Sequence, residues 1–431
     1  MPTLCVAGGR VLRPDGSVTT ADVFVDQASG DIIDVAPELG GEADEVLDAA
    51  GSVVMPGLVN AHTHAAMTLL RGYADDKPLD AWLREDIWPA EATLEPVDVR
   101  AGTDLALLEM IRSGTTAFGD MYFHVPDVVA AVDDAGLRAR VGHGIVTVGK
   151  DTETAHDDVD ESLDVAREYD GAAEGRIRTA VMPHSLTTVS GEAFERCVEV
   201  ARDIGVPLHL HANETRDEVD PLVDEYGTDP LQYADSLGVL DSGTFLAHGV
   251  HVSETEIDLL VERGSSVVHC PASNMKLASG MAPVQQYLDA GVTVALGTDG
   301  AASNNDLDLF DEMRDAAMLG KLAADRADAV AAPDVVRMAT AGGADALGLP
   351  GGRLEPGAAA DLAVVDLDAP HLTPVHDVVS HLVYAARGAD VRHTICDGQV
   401  LMRDREVLTM DAERVKERAR ERAAVMADRA G

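Results

Sequence analysis

Along the middle of the chain, short apolar runs alternate with amphipathic stretches, and nearly every run ends on a polar side chain. Eight such runs lie between residues 56 and 354: LVNAHTH (58–64), TTAFGDM (115–121), ARVGHGIV (139–146), RTAVMPHS (178–185), PLHLHANE (207–214), TFLAHGV (244–250), SVVHCPAS (266–273) and TVALGTDG (293–300). Short apolar runs suit strands buried on both faces. The stretches between them, such as DVRAGTDLALLEMIRSG (98–114) and GEAFERCVEVARDIG (191–205), read as helices. Eight strands alternating with helices over about 300 residues predict an α/β fold, a (β/α)8 TIM-type barrel spanning 56–354. A doubly wound sheet is the rival, but no glycine-rich phosphate loop accompanies the strands. The two ends of the chain have another texture. TLCVAGG, ADVFVD, DIIDVAPE and SVVMPG near the start, and DLAVVDLDA and HTICDGQVLMRD near the end, are short β-like runs punctuated by turns. They predict one small β-sandwich domain assembled from both termini, residues 1–55 and 355–408. Residues 409–431, with Glu413–Lys416 and Glu417–Arg420 three apart, predict an exposed C-terminal helix.

Composition adds a constraint that the pattern does not carry. The 431 residues are 46% hydrophobic, enough for a large core, yet they hold 76 acidic residues against 33 basic, a formal charge of −43. Only five basic residues are lysines. Acid clusters such as DTETAHDDVDES (151–162) recur along the whole chain, so they read as solvated surface rather than a binding tail. Such a charge repels nucleic acid and anionic membranes, which are excluded as partners, and it repels itself unless salt screens it. The composition resembles that of proteins from organisms with a high-salt cytoplasm, so stability that needs molar salt is expected. No apolar stretch approaches membrane-spanning length, and the start has no charged segment followed by a long apolar one. The four cysteines, Cys5, Cys197, Cys270 and Cys396, are far apart with no CxxC pair, which fits a reducing, cytoplasmic location.

The polar strand ends carry the chemistry. His62 and His64 stand two apart at the first tip, so their imidazoles share a face. His209 and His211 repeat that spacing at the fifth, with Glu214 just beyond. Of the two, His211 is the better ligand candidate and His209 the supporting one, because His211 is nearer the tip. His248 ends the sixth run and Asp299 the eighth. Each alone has a plainer explanation: a polar strand end, a core histidine, or, for Asp299, a helix cap. Together, at tips that converge on one cavity of a barrel, three neutral histidines and a carboxylate suit Zn²⁺ with a position open for water. The fourth run offers no lysine to bridge two metals, so one ion per subunit is expected, with Fe or Ni as alternatives to Zn²⁺.

With these residues in place, the chain resembles the amidohydrolase superfamily in its mononuclear deaminase branch. The stretches 56–91, 113–123 and 272–313 are very similar to the 5-methylthioadenosine/S-adenosylhomocysteine deaminase family, and the resemblance covers nearly the whole chain. It implies hydrolytic deamination at C6 of an adenine ring. It assigns His62, His64, His211 and Asp299 to the metal, Glu214 to protonation of N1, Asp299 to the proton of the attacking water and His248 to the tetrahedral intermediate. Substrate contacts are implied for Glu91 (ribose hydroxyls), Trp82, His143 and His184, besides Glu214 and Asp299. Cys270 is read as structural, and Asn274 as shaping the loop after the seventh strand without a part in catalysis. One departure bears on substrate. Where an arginine is expected after the third strand, this chain has His143, so small 5′-modified adenosines are favoured over S-adenosylhomocysteine unless Arg138 or Arg140 substitutes. A guanine deaminase or s-triazine hydrolase is the alternative enzyme, and a non-catalytic metal-binding barrel the alternative outside catalysis. A homo-oligomer is expected.

Overall fold

The computed structural model describes residues 2–431. The eight runs are eight parallel strand positions: β1 (Leu58–His64), β2 (Thr115–Tyr122), β3 (Arg138–Ile145), β4 in two pieces (Ile177–Thr179 and Met182–Pro183), β5 (His209–Ala212), β6 (Phe245–His248), β7 (Ser266–His269) and β8 in two pieces (Val294–Leu296 and Asp299–Gly300). β1 to β4 pair in order, and β5 to β8 do the same. Two parallel bridges, Val181 to Leu208 and Ser185 to His211, join β4 to β5. The second piece of β8 pairs with β1 through Asp299 and Thr63, so the ladder returns to its start and the barrel is closed. Asn60 locks that seam by accepting from the Thr298 N–H at 2.9 Å and donating to its hydroxyl at 2.7 Å.

Inside the barrel pack small and medium side chains, among them Val59, Ala61, Ala117, Met121, Met182, Val268 and Ala295. Leu347 and its neighbours on the helix Gly343–Leu347 belong to the same cluster. The larger core lies between strands and helices, where Leu107, Phe118, Val141, Phe194 and Leu260 are buried. Asp98 on the helix Pro96–Arg112 takes charged hydrogen bonds from Arg422 and Arg429 of the C-terminal helix Ala412–Ala430. That helix also buries Val415, Ala419 and Met426, so it is docked rather than simply exposed.

Strands from both termini form one continuous nine-stranded sheet. Its first strand, Thr3–Leu12, is bulged between Val6 and Gly9. The first half pairs with Glu45–Asp48 and the second half with Ser52–Pro56. A bulge bends a strand sharply, and here Val11, Val23 and Val25 come to share a private core with Val54, Leu362, Val364 and Ile395. The opposite face, through Val53, Met55, Ala363 and Val365, joins the barrel's outer core. Arg138 crosses the same boundary to Asp361 at 2.9 Å and Asp397 at 2.7 Å.

Candidate functional site

The site begins with an irregularity in β1. The register against β2 slips between Asn60 and Thr63, a bulge that shifts the alternation of side chains. Ala61 packs in the inner core, and after the slip His62 and His64 also face the barrel interior. Gly297 of β8 has no Cβ here because one would lie 2.9 Å from the Cβ of His62. At three other tips the backbone turns left-handed at non-glycine residues: Asn213 (φ 53°), His248 (φ 73°) and Asp299 (φ 59°). L-residues pay roughly 1–2 kcal/mol for that conformation, and strain of this kind concentrates at functional sites.

A chain of hydrogen bonds fixes where each ring carries its proton. The carbonyl of Phe245 can only accept, so His209 Nδ1–H donates to it at 2.7 Å, leaving His209 Nε2 as an acceptor. His62 Nδ1–H therefore donates to His209 Nε2 at 2.8 Å, and His62 Nε2 is left bare. The same logic holds for His64, whose Nδ1–H donates to the Met121 carbonyl at 2.7 Å, and for His211, whose Nδ1–H donates to the His184 carbonyl at 2.8 Å. Three Nε2 lone pairs thus converge. His64 and His211 Nε2 lie only 3.2 Å apart, and the buried His62 Nε2 has no hydrogen-bond partner.

Asp299 completes the set. Its Oδ2 accepts from the hydroxyls of Ser273 and Ser303, each at 2.7 Å, while Oδ1 is left facing His62 Nε2 at 3.4 Å and His64 Nε2 at 3.2 Å. The four ligand atoms lie within 4.8 Å of one another. Bare nitrogens this close repel unless positive charge sits among them, and three imidazoles with one carboxylate fit a divalent ion such as Zn²⁺. Burial works against charge on His64, yet the hydrogen bond and charge of Asp299 push it up to about 9. A field strong enough to hold a proton there also favours a cation. Burial alone would raise Asp299, but His62 and His64 hold it well below the usual carboxylate range. Asp299 is not a helix cap: the helix Leu309–Ala324 that follows is capped by Asp308.

Glu214 and His248 stand beside this cluster. His248 Nε2 is 3.6 Å from Glu214 Oε2, and Ser279 donates to Glu214 Oε1 at 3.1 Å. Burial raises the Glu214 carboxyl, with the nearby His248 opposing it only in part. Asn274 Oδ1 lies 2.9 Å from His248 Nδ1. On the other side, the His184 ring is 4.6 Å from that of His211, and its Nδ1 is 2.9 Å from the Thr188 hydroxyl. Glu91 accepts from the Tyr122 hydroxyl at 2.7 Å, and burial pushes its carboxyl up to about 7 against the pull of Tyr122 and His64.

Two sequence expectations need correction. His143 does not face the cavity: it points outward from β3 and meets Asp158 at 3.2 Å and Glu161 at 3.4 Å on the helix Thr152–Tyr169. Parity explains this, because Gly142 and Gly144 approach Met182 and Met121 of the inner core and the residue between them must point out. Arg138 and Arg140 are no substitutes either. Arg138 is spent on Asp361 and Asp397, while Arg140 donates to the carbonyls of Leu347 and Thr179. Trp82 is 3% exposed, and its indole N–H donates to the Ala74 carbonyl at 3.0 Å. The residues that sequence reasoning missed are Tyr122, Ser273, Ser279 and Ser303, hydroxyls with no distinguishing spacing of their own. Asn274, expected only to shape the loop after β7, also meets His248 through its Oδ1.

A model of the amidohydrolase family matches residues 53–401. The chain is 65% identical over 430 residues to a 5-methylthioadenosine/S-adenosylhomocysteine deaminase of Natronomonas pharaonis, covering 100% of this chain and 99% of that one. It is 47% identical over 426 residues to a 5′-deoxyadenosine deaminase of Methanosarcina mazei, covering 98% of each. Among solved structures, an adenosine deaminase from Xanthomonas campestris with bound zinc superposes with a TM-score of 0.92 at 39% identity, covering 99% of this chain and 98% of that chain. The chain belongs to the amidohydrolase family.

Proposed function

We propose that the chain is a metal-dependent aminohydrolase that exchanges the C6 amino group of adenosine-type nucleosides for oxygen, giving an inosine-type product and ammonia. The observation that carries this reading is the juxtaposition of a buried carboxyl with a raised pKa, Glu214, and a cluster in which three Nε2 atoms and one carboxylate oxygen converge, each ring's Nδ1–H being committed elsewhere. His62, His64, His211 and Asp299 would hold one ion, Zn²⁺ by preference. When bound, such an ion supplies a Lewis acid that brings the ionisation of water toward neutral pH.

The chain's own groups do the rest. Glu214 delivers its proton to ring nitrogen N1, which drains electron density from C6 so that the oxygen of water can add there. Asp299, through Oδ1, accepts the proton that this water releases and passes it to the exocyclic amine. His248 hydrogen-bonds the oxygen entering at C6 and stabilises the tetrahedral intermediate. The C6–N bond then breaks and ammonia leaves; the proton of the C6 hydroxyl returns to Glu214, so the product carries C6=O, keeps the N1 proton, and the acid is restored. Glu91 is assigned to the ribose hydroxyls and His184 to substrate contact, supported by their links to Tyr122 and His211. Trp82 is assigned to shaping the segment over the site.

Because Arg138 and Arg140 are both committed elsewhere, β3 offers no guanidinium for an amino-acid carboxylate. Methylthioadenosine, 5′-deoxyadenosine and adenosine are therefore the favoured substrates. A panel followed by ultraviolet shift and ammonia release, in roughly molar KCl with Zn²⁺, tests this. The expected result is kcat/KM at least about tenfold higher for these nucleosides than for S-adenosylhomocysteine. No turnover of any adenosine analogue, or a preference for guanine or a triazine, would overturn the reading.

A further inference from the structure

The segment after β7, Ser273 to Gly280, supplies no candidate metal ligand, yet it touches three of the groups assigned to chemistry. Ser273 donates to Asp299 Oδ2 at 2.7 Å, Asn274 Oδ1 meets His248 Nδ1 at 2.9 Å, and Ser279 donates to Glu214 Oε1 at 3.1 Å. These partners come from β8, β6 and the loop after β5, so one short stretch spans the ends of three strands. We propose that Ser273, Asn274 and Ser279 form a single positioning platform that fixes the relative placement of Asp299, His248 and Glu214. The proposal goes beyond the functional reading above and rests on it only for the identity of the reaction.

The platform is built to be rigid. The side chains of Ser273 and Asn274 are fully buried, and Ser279 is 6% exposed. Its floor is Glu312, 0% exposed, which accepts from the Ala272 N–H at 3.3 Å and from Asn304 at 2.6 Å. Asn304 in turn donates to the Thr298 carbonyl at 2.8 Å, next to Asp299. Lys276 ties the same segment to the loop after β8 by donating to the Ala302 carbonyl at 3.0 Å and to Asn305. It also pairs with Asp75 at 2.6 Å, in the stretch that leads to Trp82. Gly280 cannot carry a side chain: at φ 137° a Cβ there would lie 2.8 Å from Val250 and 3.1 Å from the His251 ring. His251 then meets the Ser279 carbonyl at 2.7 Å, which fixes the serine's backbone from the far side.

Each contact also restricts chemistry. Asn274 Oδ1 accepts from His248 Nδ1–H, which orients the ring so that Nε2 faces Glu214. Ser279 occupies one oxygen of Glu214, and so leaves Oε2 as the atom on the His248 side. Ser273 and Ser303 occupy Asp299 Oδ2 and leave Oδ1 as the free oxygen. The three side chains touch catalytic groups rather than substrate, so they are positioning residues.

The test uses Ser279→Ala, Ser279→Thr and Asn274→Ser in the full-length protein, in molar KCl with Zn²⁺. Losing one hydrogen bond to a charged group should lower kcat by roughly 10- to 100-fold in Ser279→Ala and Asn274→Ser, with KM changed less than about threefold. Bound metal by elemental analysis should be unchanged, and Ser279→Thr, which keeps the hydroxyl, should restore most of kcat. Crystal structures of the variants give a readout independent of turnover: the Glu214 carboxyl should leave its place in Ser279→Ala, and the His248 ring should rotate in Asn274→Ser. Undisplaced side chains, or kcat within twofold of the parent protein, would overturn the platform. So would parallel loss of metal, stability and activity that Ser279→Thr does not rescue. If the parent protein deaminates no nucleoside, the functional reading fails instead, and the structures still decide the platform.

Discussion

At the scale of single residues, the site turns on which nitrogen of each histidine carries a proton. His209 shows this best. It stacks on Phe245 with ring centroids 4.1 Å apart, gives its Nδ1–H to the backbone, and with Nε2 accepts the proton of His62. Partners of this kind hold the ligand ring in one tautomer, and their loss typically costs 10- to 100-fold in metal affinity. His209→Leu should weaken Zn²⁺ by about that factor in a chelator competition. Glu214→Gln should do the reverse: metal retained, kcat reduced by several orders of magnitude, since an amide has no acidic proton to give. If Glu214→Gln also lost its metal, Glu214 would have to be counted among the ligands. His62, His64, His211, Glu214, His248 and Asp299 were legible in the sequence because strand alternation and tip position constrain them. Ser273, Ser279, Ser303 and Tyr122 were not, because a lone hydroxyl acquires its role only when the chain brings a partner from elsewhere. His143 misled for a simpler reason, since a histidine at a strand tip faces in or out by parity alone.

At the scale of elements, the barrel could be read from eight apolar runs, but the way its surroundings attach could not. The two i,i+3 pairs in the C-terminal helix suggested a solvated element, and Glu413–Lys416 does form at 2.6 Å. Its decisive residues are others. Arg422 and Arg429 reach Asp98, which is fully buried on the helix Pro96–Arg112. Burial raises the Asp98 carboxyl, but hydrogen bonds from Arg422, the Glu95 N–H and Arg429 outweigh it and hold it below the usual range. A carboxyl depressed in the folded state contributes stability that is present in full above its unfolded value, near 4, and is lost as pH falls through the folded one. Hydrogen exchange of residues 412–430 should therefore be slow from about pH 5 to 8 and accelerate below about pH 4, ahead of the barrel strands. In Arg422→Ala/Arg429→Ala, which leaves Asp98 buried without a cation, the helix should exchange fast at every pH. If the helix and the barrel opened together in acid, docking through Asp98 would not be the weak point.

At the scale of the whole molecule, the charge of −43 is distributed over 16270 Å² of surface. Even spreading puts net charges about 20 Å apart, whereas the screening length is about 30 Å at 0.01 M salt, 10 Å at 0.1 M and 3 Å at 1 M. Mutual repulsion is thus strong only in dilute buffer and is largely gone by a few tenths molar. Many surface arginines sit against carboxylates, as Arg263 does with Asp235 at 2.7 Å and Arg178 with Asp170 at 2.8 Å. Such exposed pairs weaken in salt and contribute little in any case. The buried contacts of the site, by contrast, are shielded from salt by the barrel itself. Two regimes follow for a melting curve against KCl. Tm should rise steeply up to roughly 0.3 M as repulsion is screened. Any further rise toward molar salt must come from salt strengthening the burial of apolar surface, and so should be steeper with potassium sulfate than with chloride at equal ionic strength. A Tm flat from 0.01 to 0.3 M would show that self-repulsion of the acidic surface does not limit stability. A single continuous rise that superposes for the two salts only when plotted against potassium concentration, which at equal ionic strength is a third lower in the sulfate, would assign the whole effect to the potassium ion and the carboxylates that surround it.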